Sequence, residues 1–267
     1  MEIIGFVASI LMGISLGLIG GGGSILTVPI LVYLFGVNPV ISTAYSLFVV
    51  GLTSAVGSYS HFKKGNVHLK TALIFGIPSI IAVYTVRKYI VPLIPDPVFL
   101  VDNFLITKNL FVMILFALLM VIASLSMIRK SKITTENNKL IKYNLPIIFI
   151  EGLIVGSITG LVGAGGGFLI IPALVLFAGL PMKQAVGTSL LIIAMKSLIG
   201  FTGDLGSEAI LDFKFMLIFS AFATVGIIAG TYFSKFISNE KLKPVFGWFV
   251  LVMGLYILTK EIFFNGL

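Results

Sequence analysis

The sequence has no cysteine and few charged side chains. The absence of cysteine from all 267 residues excludes disulfide bonds, thiolate metal sites and cysteine nucleophiles. Only 10% of the residues are charged, against about 25% in a typical soluble domain. Because a soluble chain of this size must still cover its surface with polar groups, this shortage excludes an ordinary soluble fold.

Groups that could perform intramembrane catalysis are also scarce. The two histidines, His61 and His68, lie in or beside the segment 61–70, and the acid Glu151 stands alone inside an apolar stretch. An intramembrane enzyme needs several such groups that converge on one site. We therefore expect no enzyme, no metal site and no cofactor, and the sequence contains no ATP-binding motif.

Long apolar runs take the place of the missing charge. Hydrophobic residues make up 58% of the chain, and runs such as 38–60, 109–128 and 215–233 reach the roughly 20 residues that span a bilayer. The formal charge of +8 could indicate nucleic-acid binding in a soluble protein, but the basic residues lie between apolar runs. We expect an all-α, polytopic protein of the cell (inner) membrane, with the lipid bilayer as its partner and no nucleic acid.

The chain matches itself without a gap after a shift of 143 residues. Gly17–Gly23 then lies over Gly160–Gly166, and Pro29 lies over Pro172. A shared apolar composition does not readily align glycines and prolines in this way. Internal repeats are common in transporters, which hold the substrate near the bilayer midplane between the repeats.

The duplication predicts two membrane repeats, 1–128 and 144–267, joined by a basic linker at 129–143. Each repeat begins with an apolar run broken by glycines. The pieces after the breaks, 25–35 and 168–177, cover only about half the hydrocarbon core at 1.5 Å per residue. We interpret each broken run as a re-entrant hairpin with its glycine tip inside the membrane; two full crossings are the alternative. Three spans follow in each repeat, at 40–60, 71–88 and 109–128, and at 184–202, 215–233 and 245–259.

The distribution of basic residues favours inverted repeats over parallel ones. In the inverted arrangement, the loops 61–70, 129–143, 178–183 and 234–244 share one side and hold 12 of the 18 lysines and arginines. The positive-inside rule makes that side cytoplasmic, which places the linker inside and both termini outside. The basic residues assigned to the other side are Arg87, Lys88, Lys108, Lys214 and Lys260.

The two glycine runs, Gly20–Ser24 and Gly163–Gly167, are the candidate anion site. Glycine exposes its N–H without side-chain obstruction, and the helix that follows each run begins with unpaired N–H groups and a partial positive charge. Such helix starts bind anions, also in the discontinuous helices of transporters. The residues assigned to the site here are Gly20, Gly21, Gly22, Gly23, Ser24, Gly163, Gly165, Gly166 and Gly167.

Close helix packing is the other interpretation of glycine in a membrane helix. We accept it for the pairs Gly13/Gly17 and Gly152/Gly156, whose spacing fits a small-xxx-small contact. Four consecutive glycines exceed what such packing needs.

Other polar groups in the spans extend the candidate site. Ser46, Thr188 and Ser189 could donate hydrogen bonds to an oxyanion, although such hydroxyls can equally bond a neighbouring helix. Lys196 lies near the middle of its span, where a charge is costly and indicates function, with snorkelling to an interface as the alternative. Glu151 could carry a proton or lie at the interface.

His61 and Asp204 are equivalent under the 143-residue shift and end their spans on opposite faces. For both residues we expect placement in a loop.

The chain resembles the sulfite exporter TauE/SafE family of membrane permeases. The resemblance rests on Gly17–Ser24 (GLIGGGGS) and Gly160–Gly167 (GLVGAGGG), each followed by a proline, and on Ser42–Leu47 (STAYSL) and Ala185–Leu190 (AVGTSL). It implies a secondary carrier of small sulfur-containing or organic anions such as sulfite, sulfonates or sulfoacetate.

The combined expectation is a secondary transporter that holds its anion at half-helix N-termini and works by alternating access. A passive anion channel and a carrier of non-sulfur organic anions are the alternatives. Tyr45 stands where the second half has Thr188, which leaves the substrate preference open. The coupling ion, with protons as the candidate through Lys196 or Glu151, and a homo-oligomeric state also stay open.

Overall fold

The computed structural model describes residues 2–101, 104–128, 145–205, 211–234, 236 and 239–263. The predicted linker at 129–143 lies outside the described residues. The described part is almost entirely helical, so the all-α fold is confirmed. The helices are α1 (Glu2–Ile19), α2 (Thr27–Phe35), α3 (Pro39–Lys63), α4 (Leu69–Thr85), α5 (Lys108–Ile128), α6 (Leu145–Val162), α7 (Gly167–Leu176), α8 (Met182–Thr202), α9 (Phe213–Phe233) and α10 (Asn239–Phe263).

Short elements extend or connect these helices. A 3-10 helix, Gly22–Leu26, leads into α2. A π-helical turn at Val86–Ile90 and a helical turn at Val91–Leu93 prolong α4. An antiparallel hairpin of β1 (Phe99–Val101) and β2 (Phe104–Ile106), which the sequence pattern did not predict, precedes α5.

Six helices of the described residues are long and apolar enough to cross a membrane. They are α3, α4 with its extension to Leu93, α5, α8, α9 and α10, which are the three spans predicted for each half. The arms of the glycine-broken runs, α1, α2 and α6, are shorter apolar helices. The chain is therefore a multi-pass membrane protein.

The first broken run folds into a hairpin. Gly23 lies against Met12 and Leu16 of α1, and the Phe35 ring lies against Gly5 near the start of α1. The 3-10 helix and α2 thus run back along α1 towards the face from which it came. At 1.5 Å per residue, α2 covers only about 14 Å, which is half a bilayer.

Gly20 and Gly163, where the first arms end, lie near the starts of neighbouring helices, whereas the residues just before α7 lie near the centre of α3. Gly20 contacts Val186, one turn into α8, and Gly163 contacts Thr43, one turn into α3. Gly165, just before α7, contacts Val50 at the centre of α3. The first arms reach this far because 18 residues of helix extend about 27 Å.

Helices of one half pack mainly against helices of the other half. α1 packs along α9 and α6 along α4, while α3 packs on α8 and α5 on α10. The shift of 143 residues exchanges α1 with α6 and α4 with α9, so the first two contacts are equivalents of each other. α3 and α8 run antiparallel: Gly57 contacts Leu190, and its equivalent Gly200 contacts Leu47.

The glycine pairs assigned to helix packing do pack, as predicted. Gly13 and Gly17 lie against backbone atoms of α9, and Gly152 and Gly156 lie against the carbonyl oxygens of Phe75 and Ser79 in α4. A side chain at these positions would separate the helices, so the small residue sets their distance.

A pair of alanine substitutions tests this packing. A Cβ on Gly17 would lie 2.6 Å from the carbonyl oxygen of Ile227, whereas a Cβ on Gly76 of α4 would meet nothing nearer than Met195 Cε at 3.4 Å. We expect Gly17→Ala to lower the free energy of unfolding by about 1–3 kcal/mol through overpacking. Gly76→Ala, the matched control, should be neutral or slightly stabilising because alanine favours helix. Thermal denaturation in detergent measures both, and equal effects would contradict the packing interpretation.

Candidate functional site

The two glycine turns meet at the centre of the molecule. Gly21 packs against Gly167, so a Cβ on Gly21 would lie 2.5 Å from the Gly167 Cα, and Gly165 lies beside Ser24. All nine glycine and serine residues of the candidate site in these turns are buried. Among the others, Gly22 contacts Phe246 and Gly23 contacts α1. The structure thus brings together the two segments that the repeat pattern singled out.

Gly20 and Gly163 need glycine for their backbone conformation. Their φ angles are 78° and 70°, in the left-handed region that a side chain disfavours. Each donates its N–H to the helix before it, Gly20 to Leu16 and Gly163 to Thr159. These two equivalent residues end α1 and α6 in the same way and let the chain turn inward.

Several backbone N–H groups after both turning points lack an acceptor among the described residues. No backbone hydrogen bond is found there from the N–H groups of Gly21, Gly22 and Gly23 or from those of Ala164, Gly165 and Gly166. Buried backbone donors without a partner are rare in folded proteins, and each demands an explanation. They lie at the N-termini of the 3-10 helix and of α7, where the helix dipole adds partial positive charge.

Lys196 points into the same region. Its side chain is 0% exposed, and its Nζ donates to Thr159 Oγ1 at 2.9 Å. A Cβ on Gly166 would lie 2.9 Å from that Nζ, so the ammonium group is beside the second glycine turn. The ion pair found among the described residues does not involve Lys196. A buried side chain in this position does not snorkel to an interface.

The serines of the site differ in their partners. Ser189 Oγ lies 2.7 Å from the carbonyl oxygen of Gly20 and 2.8 Å from that of Val186, and it can donate to either. Ser24 Oγ donates to the carbonyl oxygen of Gly21 at 2.7 Å. Ser46, the repeat equivalent of Ser189, is fully buried, and its hydroxyl has no partner within the described residues.

Thr188 and Tyr45 occupy equivalent positions in the two repeats and make equivalent hydrogen bonds, although their side chains differ. Thr188 Oγ1 accepts a hydrogen bond from the backbone N–H of His68 at 2.9 Å, and the Tyr45 hydroxyl accepts one from the N–H of Asp212 at 2.7 Å. His68 and Asp212 are the N-cap residues of α4 and α9. Both hydroxyls therefore hold a loop against the bundle, and the Thr188 hydroxyl is hydrogen-bonded to the His68 loop rather than to a glycine turn.

A buried ion pair is the main polar feature that the sequence analysis missed. Arg87 Nε donates to Asp204 at 2.8 Å, and Arg87 Nη2 lies 2.6 Å from the other carboxylate oxygen. Arg87 Nη1 also donates to Thr43 Oγ1 at 2.8 Å and approaches the carbonyl oxygen of Gly160 at 3.3 Å. The loop expected for Asp204 is the turn after α8, but Asp204 is buried there, and it and Arg87 compensate each other's charge. His61, for which a loop was also expected, lies in the last turn of α3.

Comparison with known proteins identifies the family. The family model described as "Sulfite exporter TauE/SafE" matches residues 5–257, which is nearly the whole chain. The chain belongs to the TauE/SafE family. No solved structure matches it.

Curated relatives of this TauE/SafE protein are named as transporters. A "Probable membrane transporter protein" of Xylella fastidiosa is 30% identical over 94% of this chain and 92% of its own length. A protein of the same description from Methanocaldococcus jannaschii is 32% identical over 96% of this chain and 93% of its own. A third, YdhB of Bacillus subtilis, is 27% identical over 93% and 96%. Together with the family, these names make this protein a membrane transporter.

The remaining candidates lie apart from the glycine turns. Glu151 is on α6, more than two turns before Thr159, and one of its carboxylate oxygens is buried without a hydrogen-bond partner in the described structure. No group of three His, Asp or Glu residues that could hold a metal ion occurs among the described residues.

The repeat-equivalent serines provide a matched test of this geometry. Ser189→Ala removes the hydroxyl beside the buried carbonyl oxygens of Gly20 and Val186, so we expect a loss of about 0.5–1.5 kcal/mol in the free energy of unfolding. Ser46→Ala removes a hydroxyl without a partner and should leave stability unchanged or raise it. Thermal denaturation of both variants, without any anion, measures the difference. A larger loss for Ser46→Ala would contradict the assignment.

Proposed function

We propose that this TauE/SafE protein is a secondary transporter of small anions, which it binds between its two glycine turns. The observation behind this proposal is the set of buried amides, Gly21 to Gly23 and Ala164 to Gly166, for which the described residues offer no hydrogen-bond acceptor. An anion supplies acceptors for such amides, and a helix start adds a favourable dipole. The Lys196 ammonium group, fully buried beside Gly166, adds positive charge to the site and therefore also favours a negatively charged ligand.

The contact between the two turns favours a compact oxyanion. Gly21 and Gly167 are in contact, so an anion that reaches the amides of both turns must separate them, and a small anion separates them least. An oxyanion with three or four oxygen atoms can accept hydrogen bonds from several directions at once. Sulfite and small sulfonates fit this description, and the family's name is consistent with them. Gly20, Gly22, Gly23 and Gly163 shape the turns, and Ser24, Ser46 and Ser189 are the hydroxyls within or one turn from them.

Alternating access between two inverted halves is consistent with the way in which helices of one half pack against equivalent helices of the other. The contact of Gly20 with Val186 and that of Gly163 with Thr43 are equivalents under the 143-residue shift, as are the contacts of α1 with α9 and of α6 with α4. Two halves related in this way can exchange their conformations, which opens the site first to one side and then to the other. In this proposal, the structure with both turns buried corresponds to a state in which the anion site is closed to both sides of the membrane.

Orientation and coupling belong to the same proposal. By the positive-inside rule, the proposed orientation has the end of α3 and the start of α8 at the cytoplasmic face of the inner membrane, with both termini and the start of α3 outside. Protons are the proposed coupling ion, with Lys196 as the group whose charge would change during transport.

Binding of defined anions tests the site. Purified protein is titrated with sulfite, sulfoacetate, sulfate and the zwitterion taurine, and binding is measured by calorimetry and by the rise in unfolding temperature. We expect sulfite or sulfoacetate to bind, and Lys196→Met to weaken that binding roughly tenfold or more, because a hydrogen bond to a charged group contributes about 1.5–3 kcal/mol.

The control for lost charge is Lys214→Met, since Lys214 is exposed at the start of α9. It should bind like the unmodified protein. If Lys196→Met also binds like the unmodified protein, the anion site lies elsewhere.

Counterflow in liposomes tests the carrier mechanism. Liposomes loaded with an excess of the unlabelled anion should transiently accumulate the labelled anion above its outside concentration, because a carrier exchanges the two. A passive channel only equilibrates the label, so equilibration without overshoot would contradict the proposal.

A further inference from the structure

The Arg87–Asp204 ion pair ties both halves together at one face of the molecule. Arg87 lies in the π-helical extension of α4, and Asp204 follows the end of α8. Arg87 also contacts Thr43 in the first turn of α3 and Gly160 in the last turn of α6. The guanidinium group therefore connects four segments where α3 begins and α8 ends, which we name the Arg87 face.

The opposite face has no equivalent ion pair among the described residues. Under the 143-residue shift, Asp204 corresponds to His61, Arg87 to Gly230 and Thr43 to Val186. His61 is buried, and within the described structure both its ring nitrogens lack a hydrogen-bond partner. The face where α3 ends and α8 begins, the His61 face, cannot form this latch with these residues.

Two neutral contacts are described at the His61 face. Thr188 accepts the hydrogen bond from His68 N–H, and Gly187 packs against the carbonyl oxygen of Asn66. The hydrogen bond has its counterpart on the Arg87 face, between Tyr45 and Asp212. Among the described residues, the ion pair is thus an addition at one face to a hydrogen bond that both faces share.

We propose that the Arg87–Asp204 pair is a latch that holds the Arg87 face closed. This inference rests on the proposed alternating access. Opening the Arg87 face separates Arg87 from Asp204, which leaves two charges that need water or new partners. The latch therefore disfavours opening at the Arg87 face.

The absence of cysteine from the chain permits a direct test. Ser46 and Ser189 are equivalent, and each lies about two turns from one face: Ser46 near the start of α3 at the Arg87 face, and Ser189 near the start of α8 at the His61 face. Ser46→Cys and Ser189→Cys are made separately, each with and without the double substitution Arg87→Gln and Asp204→Asn. A membrane-impermeant maleimide is applied to intact cells and to inverted vesicles, which expose opposite faces.

We expect the double substitution to speed labelling of Ser46→Cys roughly tenfold or more, from one side of the membrane only, because a latch of about 1.4 kcal/mol shifts the open population by that factor. Labelling of Ser189→Cys should stay the same or fall. No change at Ser46→Cys, or an equal rise at both positions, would overturn the latch.

A second, milder variant tests the latch in case the double substitution prevents folding. Thr43→Val removes one hydrogen bond to Arg87 but leaves the ion pair, and it installs the residue type of the equivalent Val186. It should raise labelling of Ser46→Cys by a smaller factor, again without a rise at Ser189→Cys, while elution as a single monodisperse species shows that the protein is folded. No rise in a folded Thr43→Val protein would count against the latch. The assay needs no substrate, so a failure of the latch is distinguishable from a failure of anion binding.

Discussion

The structure depends on a constraint of the backbone: in a membrane interior, every N–H group needs an acceptor. Helices α3, α5 and α8 meet this requirement internally, but the chain breaks at the two glycine turns and leaves buried amides unpaired. Non-helical backbone at this depth is tolerated where it lines a cavity or contacts other protein. Here the turns contact each other, so the same amides that destabilise an empty site favour an anion that enters between them.

Much of the fold could be predicted because a membrane-spanning helix has a simple sequence pattern, a long apolar run with few charges. A run of about 20 apolar residues with few charges has one stable form in a bilayer, so the predicted spans agree with α3, α5, α8 and α9 within a few residues. The spacing of Gly13 and Gly17 likewise identified a helix contact. Lys196 stood out because a charge within an apolar span is costly wherever it points.

The rest could not be read from the sequence because it depends on contacts between distant segments. Arg87 and Asp204 each look like the charged end of a span, and only the packing of α4 against α8 buries them together. Tyr45 and Thr188 have different side chains, yet both accept a hydrogen bond from an N-cap residue, which no local pattern reveals. The sequence pattern singled out the glycine turns, but their contact through Gly21 and Gly167 follows from the three-dimensional arrangement.

The most direct measurement is the position of a bound anion. Selenite is a close analogue of sulfite, and anomalous diffraction at the selenium edge would locate it in crystals of the protein. Our account predicts a peak within hydrogen-bonding distance of amides from both glycine turns and of Lys196 Nζ, with Gly21 and Gly167 moved apart. Selenite bound elsewhere, with the two turns still in contact, would contradict it.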